Sequence, residues 1–225
     1  MKRPSITEVS SMQISILPAA GVLSKRDKSG LKHWWKLGTD AKDSTGNLDG
    51  LRSGGAAFTT FAGKQCVSFA AGGYVELPAM TFGATPWTIS TWYSAQDLAN
   101  YGPLFAAANS NSLFQLKISP ISEPSAPGRM YFYAASSIPA GSKFSSQSLT
   151  TGSWKLLTFT YDGARLKMFI GNTQVGDHAV TYTPVTSAMR LGSNAAEVAH
   201  GYQRDVRVYD KALSVQEIAD LVALG

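Results

Sequence analysis

Residues 154–170 read WKLLTFTYDGARLKMFI, and they are the clearest indication of the fold. Apolar and polar residues alternate on both sides of Asp162 and Gly163, with the two-residue period of a half-buried strand. An Asp-Gly pair between two such runs predicts a hairpin, because glycine adopts positive φ without a Cβ clash. The stretch therefore predicts two antiparallel strands, at residues 154–161 and 165–170.

Similar short runs occur along the chain on both sides of this hairpin, separated by Gly, Pro, Asn and Asp. They cover residues 31–37, 65–70, 74–77, 87–93, 113–118, 129–134, 188–191 and 202–209. Residues 119–128 and 136–148 are predicted to be surface loops, because proline, glycine and serine interrupt them. In 113–118, Leu116 and Ile118 share one face, and we expect Gln115 and Lys117 on the solvated face.

One helix is predicted at the end of the chain. Ser214 is followed three residues later by Glu217, which is a capping box, and Ile218, Leu221 and Val222 repeat at helical spacing. Many strands without intervening helices predict an all-β fold. We expect a two-sheet antiparallel jelly-roll sandwich with an N-terminal extended arm and a short C-terminal helix.

Composition agrees with this fold class. Of the 225 residues, 16% are charged, and there are 21 Gly and 10 Pro, which disfavours coiled coils and disordered chains. Cys66 is the single cysteine, so an internal disulfide framework and a Cys-rich zinc module are excluded. No run approaches the roughly 18 apolar residues of a membrane span, so none is predicted.

The net charge of +5 lies at the start of the chain. Residues 1–36 hold seven basic and two acidic residues, and the other 189 residues hold 13 of each sign. A neutral body with a basic leader argues against sequence-specific nucleic-acid binding by the body. We predict an arm at residues 1–30 that docks on a protein assembly, followed by one domain at 31–225. The docking residues would be Lys2, Arg3, Lys25, Arg26 and Lys28.

Several segments in this order resemble the concanavalin-A-like lectin/glucanase superfamily, in its laminin-G-like branch. The matching segments are HWWKL (33–37), DSTGN (43–47), GYVEL (73–77), WTISTW (87–92), GSWKLLTFTYDG (152–163), MRLGS (189–193) and DVRVYDKALS (205–214). The resemblance covers roughly residues 31–225. It implies a binding sandwich that holds a glycan or a protein surface, often near a calcium ion, although a fold does not fix a function.

The resemblance also implies a place for calcium, although none is required by the fold. Asp43 in the early turn and Asp205 before the last strand would share the ion with backbone carbonyls. The family often has a second acidic residue just before the latter, where this chain has Arg204. Two alternatives are a salt bridge from Arg204 to Asp43, and a turn stabilised by Asp43 and Asn47 alone.

The residues favour binding over catalysis. Glycosidases of the resembled superfamily use two carboxylates on one strand, and no glutamate here has a carboxylate two residues later. We therefore predict no enzyme activity. Sugar rings stack on exposed aromatic rings, which makes Tyr101, Tyr131 and Tyr202 the glycan candidates. For each of them, a role in the core or at its rim is the alternative.

Two function classes remain. The first is a virion-associated protein, a bacteriophage capsid decoration or tail component, which docks by its arm and displays a lectin-like sandwich. It would be made in the host cytoplasm, in keeping with a leader that lacks a clear signal-peptide pattern. The alternative is a secreted or surface glycan-binding adhesion module, located outside the cell. Sheet edges also allow a homo-oligomer.

Overall fold

The computed structural model describes residues 28–225, apart from residues 70, 71, 111, 136, 138 and 140. Four of the predicted docking residues, Lys2, Arg3, Lys25 and Arg26, lie outside the described residues. Lys28 lies within them and is exposed. In the described part, two antiparallel sheets pack face to face and a helix follows, so the predicted all-β sandwich with a short C-terminal helix is confirmed.

The elements follow one another as strands and end in one helix. In chain order they are β1 (Leu31–Trp35), β2 (Leu51–Ser53), β3 (Ala57–Phe61), β4 (Lys64–Ser68), β5 (Tyr74–Phe82), β6 (Trp87–Ala95), β7 (Gly102–Ala107), β8 (Gln115–Ile118), β9 (Arg129–Tyr133), β10 (Lys143–Ser148), β11 (Lys155–Tyr161), β12 (Arg165–Ile170), β13 (Thr173–Ala179), β14 (Val185–Leu191), β15 (Gly201–Tyr209) and α1 (Val215–Ala223).

The two sheets differ in size. The eight-stranded sheet has the order β13-β12-β11-β6-β15-β4-β3, with β1 also paired to β15. The seven-stranded sheet has the order β10-β9-β8-β7-β14-β5-β2. The predicted hairpin forms β11 and β12, in which Phe159 pairs with Met168 and Tyr161 with Leu166.

The core lies between the sheets and is rich in aromatic rings. Every second residue of the central strands faces it, such as Ile89 and Tyr93 on β6. Trp87, Phe114 and Tyr182 pack together there, and the indole N–H of Trp87 donates to the Tyr182 hydroxyl at 2.7 Å. Each fully buried side chain of this size contributes about 1.5–3 kcal/mol, which favours one fixed packing of the two sheets.

Helix α1 covers part of the outer face of the eight-stranded sheet. Its capping box is present, because the Ser214 hydroxyl accepts from the Glu217 N–H and the Glu217 carboxylate accepts from the Ser214 N–H. Ile218 and Leu221 pack with Leu156 from the outer face of β11. Among the described residues, no helix has the length and apolar character needed to cross a membrane.

The structure adds four strands that the sequence did not predict, β2, β3, β7 and β13, and it corrects two other predictions. Residues 136–148 are not all loop, because Lys143–Ser148 forms β10 and pairs with β9. Gln115 and Lys117 are buried rather than solvated, although they do face away from the core. The second correction matters for function, since a buried lysine on a sheet face needs partners.

Candidate functional site

A polar cluster surrounds Lys117 on the outer face of the seven-stranded sheet. Lys117 and Gln115 face outward on β8 because Leu116 and Ile118 alternate with them and enter the core. The group is called the Lys117 cluster below. Its members are Gln115, Lys117, Asn194 and Glu197 together with the rings of Tyr101 and Tyr131.

An ion pair forms the centre of the Lys117 cluster. The Lys117 ammonium group donates to both carboxylate oxygens of Glu197 at 2.9 Å. Asn194 donates to Glu197 at 2.6 Å and to the Gln115 side-chain oxygen at 3.2 Å. The side chains of Lys117 and Glu197 are 6% and 20% exposed, so the pair is largely shielded from water.

The turn at residues 194–197 sets the position of Glu197. The Asn194 side-chain oxygen accepts from the backbone N–H groups of Ala196 and Glu197, both at 2.8 Å. This local hydrogen bonding is typical of asparagine in turns. These hydrogen bonds orient the Glu197 carboxylate toward the sheet, where it contacts Lys117 on β8.

Two tyrosine rings enclose the ammonium group of Lys117. Its nitrogen lies 4.2 Å from the ring centroid of Tyr101 and 4.7 Å from that of Tyr131, within range of cation–π attraction. Burial lowers the pKa of Lys117, and the hydrogen bonds and charge of Glu197 oppose that change. The two rings and the Glu197 carboxylate together stabilise the Lys117 cation in a position that is largely shielded from water.

Half-exposed groups form the rim of the Lys117 cluster. The Tyr101 hydroxyl donates to Glu123 at 2.7 Å, and the ring of Tyr133 stacks beside Tyr131 with centroids 6.3 Å apart. Phe144 on β10 packs against Tyr131 at 4.8 Å. Aromatic faces next to carboxylate oxygens can stack on a sugar ring and accept from its hydroxyl groups.

The two carboxylates near this rim are not arranged for acid catalysis. A glycosidase acid needs a raised pKa so that it carries a proton near neutral pH. Hydrogen bonds from Tyr101 and Ser125 instead lower the pKa of Glu123. Glu197 is held by the Lys117 ammonium group. The geometry suits binding of hydroxyl groups more than protonation of a glycosidic oxygen.

The predicted glycan residues are divided between the sheets. Tyr101 and Tyr131 come together in the Lys117 cluster, with ring centroids 5.8 Å apart. Tyr131 is only 8% exposed, so its ring is a wall of the cluster. Tyr202 lies on β15 of the other sheet and stacks on Phe61 at 4.1 Å.

Sequence reasoning missed Lys117, Asn194 and Glu197. Lys117 was placed on a solvated face by strand alternation, and its partner Glu197 is 80 residues away along the chain. The Asn-x-x-Glu spacing of residues 194–197 is a turn signal that could have drawn attention to the segment. Nothing in the sequence pairs that turn with β8.

The predicted calcium residue Asp43 is buried and surrounded by hydrogen-bond donors. It accepts from the backbone N–H of Trp34 at 3.0 Å and of Thr45 at 3.1 Å, and it contacts the His33 ring nitrogen at 2.7 Å. Burial alone would raise the pKa of Asp43, but these hydrogen bonds hold it well below its usual range. Asp43 therefore organises its own turn.

The Asp205 carboxylate is likewise surrounded by hydrogen-bond donors. It accepts from the indole N–H of Trp34 at 3.0 Å and from Arg204 at 2.6 Å, and Arg207 lies at 3.4 Å. Arg204 thus pairs with Asp205, so the alternative of a salt bridge to Asp43 is wrong.

The residues present do not fit the calcium ion that the resemblance implies. Calcium needs six to eight oxygen ligands, whereas the oxygens of Asp43 and Asp205 accept from N–H donors. Among the described residues, no group of three or more His, Cys, Asp or Glu side chains lies close enough to hold a metal ion.

A cavity of about 310 Å³ lies elsewhere, between one end of β5 and the strands β1 and β15. Its polar side chains are paired with neighbours: Lys32 with Asp210 at 2.7 Å, and His33 with Asp43. The indole N–H of Trp87 is also engaged, by Tyr182. With few free polar groups converging on it, this cavity is a weaker candidate than the Lys117 cluster.

A family model described as the concanavalin A-like lectin/glucanases superfamily matches residues 69–219, which is more than half of the chain. A search of curated proteins finds no match.

Solved structures share the fold. Domain 4 of AbnA, a GH43 extracellular arabinanase from Geobacillus stearothermophilus in complex with arabinotriose, has a TM-score of 0.72 and 17% identity, covering 86% of this chain and 98% of that one. The binding domain of botulinum neurotoxin serotype D has a TM-score of 0.65 and 16% identity, covering 88% and 52%. A Trypanosoma rangeli sialidase mutant displaying trans-sialidase activity has a TM-score of 0.65 and 15% identity, and the match covers 88% of this chain and 34% of the sialidase chain.

Replacing Asp43 tests its role in the turn. Asp43→Asn is expected to lower the free energy of unfolding by about 1–3 kcal/mol at pH 7, because several buried N–H groups lose a charged acceptor. The folded-state pKa of Asp43 is lowered, so its contribution is present above the unfolded pKa and is lost as the pH falls through the folded pKa. The difference between wild type and variant should be smaller at pH 3 than at pH 7.

Urea denaturation followed by tryptophan fluorescence measures the free energy of unfolding of wild type and variant at pH 7 and at pH 3. Asp40→Asn is the matched control, since this exposed carboxylate in the same segment accepts from the Lys42 N–H at 3.2 Å and from no other donor in the described part of the chain. The control should change the free energy of unfolding by less than about 0.5 kcal/mol. If Asp43→Asn changes the free energy of unfolding no more than Asp40→Asn does, the negative charge of Asp43 does not stabilise the N–H groups around it.

Replacing Glu197 tests the ion pair. Glu197→Gln is expected to lower the free energy of unfolding by about 2–3 kcal/mol, because it leaves the Lys117 charge unpaired in a shielded site. Adding Lys117→Met should recover part of the loss, since the second change removes the unpaired charge.

Glu76→Gln is the control on the same sheet face. Glu76 pairs with Arg190 at 3.0 Å but is 42% exposed, so its loss should cost less than about 1 kcal/mol. Chemical denaturation of these three variants and the wild type gives the free energies of unfolding to be compared. Equal losses for Glu197→Gln and Glu76→Gln would contradict the buried-pair description.

Proposed function

We propose that this chain, which belongs to the concanavalin A-like lectin/glucanases superfamily, is a non-enzymatic lectin-like protein that binds a glycan at the Lys117 cluster. One observation carries the proposal. The half-exposed ring of Tyr101 lies at the rim of the cluster and donates its hydroxyl to Glu123, and the half-exposed ring of Tyr133 stacks on Tyr131, whose ring lies against Lys117. This combination offers both a stacking surface and hydrogen-bond acceptors to one ligand.

The cluster is organised before a ligand arrives. Tyr101 is held at its hydroxyl by Glu123 and at its ring face by the Lys117 ammonium group. Tyr131 is held in the same way by Lys117 and by a hydrogen bond from Ser142 at 2.8 Å. Fixed side chains lose little rotamer freedom on binding, which favours affinity.

The chemistry of the rim favours a neutral sugar with vicinal hydroxyl groups. Glu123 and Glu197 are acceptors, so they would take hydrogen bonds from hydroxyl groups and repel a carboxylate or sulfate. A structurally similar domain, that of the arabinanase AbnA, was solved with arabinotriose. At 17% identity, this similarity supports only the ability of the fold to hold a sugar site. The location of the site in this chain rests on the residues of the Lys117 cluster.

A non-enzymatic role is supported by the state of the two carboxylates. The pKa of Glu123 is lowered by its hydrogen bonds from Tyr101 and Ser125, and Glu197 is neutralised by Lys117. Glu123 is therefore not a proton donor near neutral pH, and the first step of glycoside hydrolysis requires a proton donor. The proposal is accordingly binding without turnover.

Association with a virion is a narrower hypothesis that rests on the charge of residues 1–36. The comparisons name a domain of an arabinanase solved with arabinotriose, the binding domain of a botulinum neurotoxin and a sialidase mutant, and none of these three is a virion component. The hypothesis therefore remains a prediction about the leader. It is compatible with glycan binding by the sandwich.

Two tyrosine replacements test the glycan site. Tyr101→Ala and Tyr133→Ala are each expected to weaken binding about tenfold, because each removes a ring that stacks on the sugar. A glycan array would identify the ligand, and titration calorimetry with that ligand would give the dissociation constants.

Tyr202→Ala is the matched control, a half-exposed tyrosine on the other sheet that should bind like the wild type. If Tyr202→Ala removes binding and the other two variants do not, the site is on the eight-stranded sheet. If the array gives no reproducible ligand, the glycan class is wrong.

Deletion of residues 1–27 tests the docking arm. Co-sedimentation of the shortened chain with an assembled viral shell or tail should fall to background, because the deleted segment holds four of the five predicted docking residues. Circular dichroism should show the sandwich intact. Co-sedimentation equal to that of the full chain would contradict the arm hypothesis.

A further inference from the structure

A second polar site lies on the outer face of the eight-stranded sheet, away from the Lys117 cluster. It is a cavity of about 270 Å³. Its charged lining is three cations and one anion, Lys36, Lys64, Arg204 and Asp205, beside the Gln65 side chain and two glycines. The positive charge of this lining is not matched within the cavity.

Asp205 cannot compensate the cations around it. Its one carboxylate already accepts hydrogen bonds from Arg204 at 2.6 Å, from Arg207 at 3.4 Å and from the Trp34 indole N–H. Among the described residues, neither Lys36 nor Lys64 has a carboxylate within ion-pair distance, and both are exposed. Two guanidinium groups thus share the Asp205 carboxylate, and the two exposed ammonium groups add further positive charge.

Arg204 forms the rigid floor of this cavity. Its guanidinium carbon lies 4.8 Å from the ring centroid of Trp92 and 5.3 Å from that of Trp154. It also donates to a main-chain oxygen of Gly225 at 2.8 Å. The Arg204 side chain is 9% exposed, and burial lowers its pKa. A positive charge held in partial desolvation favours a nearby counter-charge.

A backbone irregularity places both arginines on this face. Arg204 and Arg207 are three residues apart, a spacing that puts side chains on opposite faces of a regular strand. The register of β15 against β6 shifts between them, and Asp205 has a φ of 52°, in the left-handed region. Backbone strain at a non-glycine residue persists only where surrounding contacts hold it.

The buried guanidinium groups are also short of acceptors. Arg207 is 4% exposed, and its Nε and Nη1 atoms have no hydrogen-bond partner among the described residues. The Nε atom of Arg204 has none either. Each unmade hydrogen bond to a charged group is costly, and Asp205 alone does not satisfy the two guanidinium groups.

We propose that this cavity binds an oxyanion, a carboxylate, sulfate or phosphate group of a ligand, between the ammonium groups of Lys36 and Lys64 and above Arg204. The site is independent of the proposed glycan site, because it lies on the other sheet and has the opposite preference for charge. The exposed lysines contact the anion, while the buried arginine supplies a fixed positive field from below.

Titration calorimetry with sodium sulfate, sodium phosphate and sodium glucuronate tests this site. Sodium chloride keeps the ionic strength constant, so that a general screening effect cancels. We expect saturable binding of at least one of the three anions to the full chain. The strongest of the three identifies the chemical group.

Lys36→Gln and Lys64→Gln should each weaken that binding by about two- to fivefold, and the double variant by more. Both lysines are exposed, so these variants keep the fold. Lys42→Gln is the control, an exposed lysine outside the cavity lining, and it should bind like the wild type. The proposal is overturned by the absence of saturable binding for all three anions, or by an equal loss in Lys42→Gln.

Discussion

The ion pair between Lys117 and Glu197 holds the candidate glycan site in place. A lysine that is 6% exposed on a sheet face must be paired, since an isolated buried ammonium group would be strongly destabilising. Glu197 provides the charge, and the rings of Tyr101 and Tyr131 provide the remaining contacts. Requiring all three partners at once fixes the geometry of the rim, which is the part a ligand would meet.

The two outer faces of the sandwich present opposite chemistry. The face of the seven-stranded sheet shows tyrosine rings and carboxylates around a neutralised lysine. The face of the eight-stranded sheet is partly covered by α1 and shows an excess of cations around Asp205. In both places aromatic rings lie against a cation and keep it from moving. A ligand that suits one face is therefore disfavoured on the other.

Features that depend on neighbours in the sequence were predictable. The hairpin of β11 and β12 and the capping box of α1 follow from residues within a few positions of one another. Edge strand β10, with the sequence KFSSQS, lacks apolar alternation, and β7 is buried throughout and so shows no period of two. Their strand character comes from pairing with β9 and β8, which the local sequence does not reveal.

Features that depend on distant residues were not predictable. Tyr101 and Tyr131 were chosen by residue type, but their grouping depends on Lys117 and on Glu197 far along the chain. Asp43 was assigned to calcium by resemblance, and the donors that occupy it come from Trp34 and His33 on β1. Electrostatic sites are assembled by topology, so their partners appear only when the strands are paired.

A crystal structure of the protein with a sugar identified on a glycan array would examine the proposed binding face. The account predicts a sugar ring against Tyr101 and Tyr133, with hydroxyl groups directed at Glu123 or Glu197. A sugar bound instead in the cavity of about 310 Å³ beside His33 and Trp87 would contradict it.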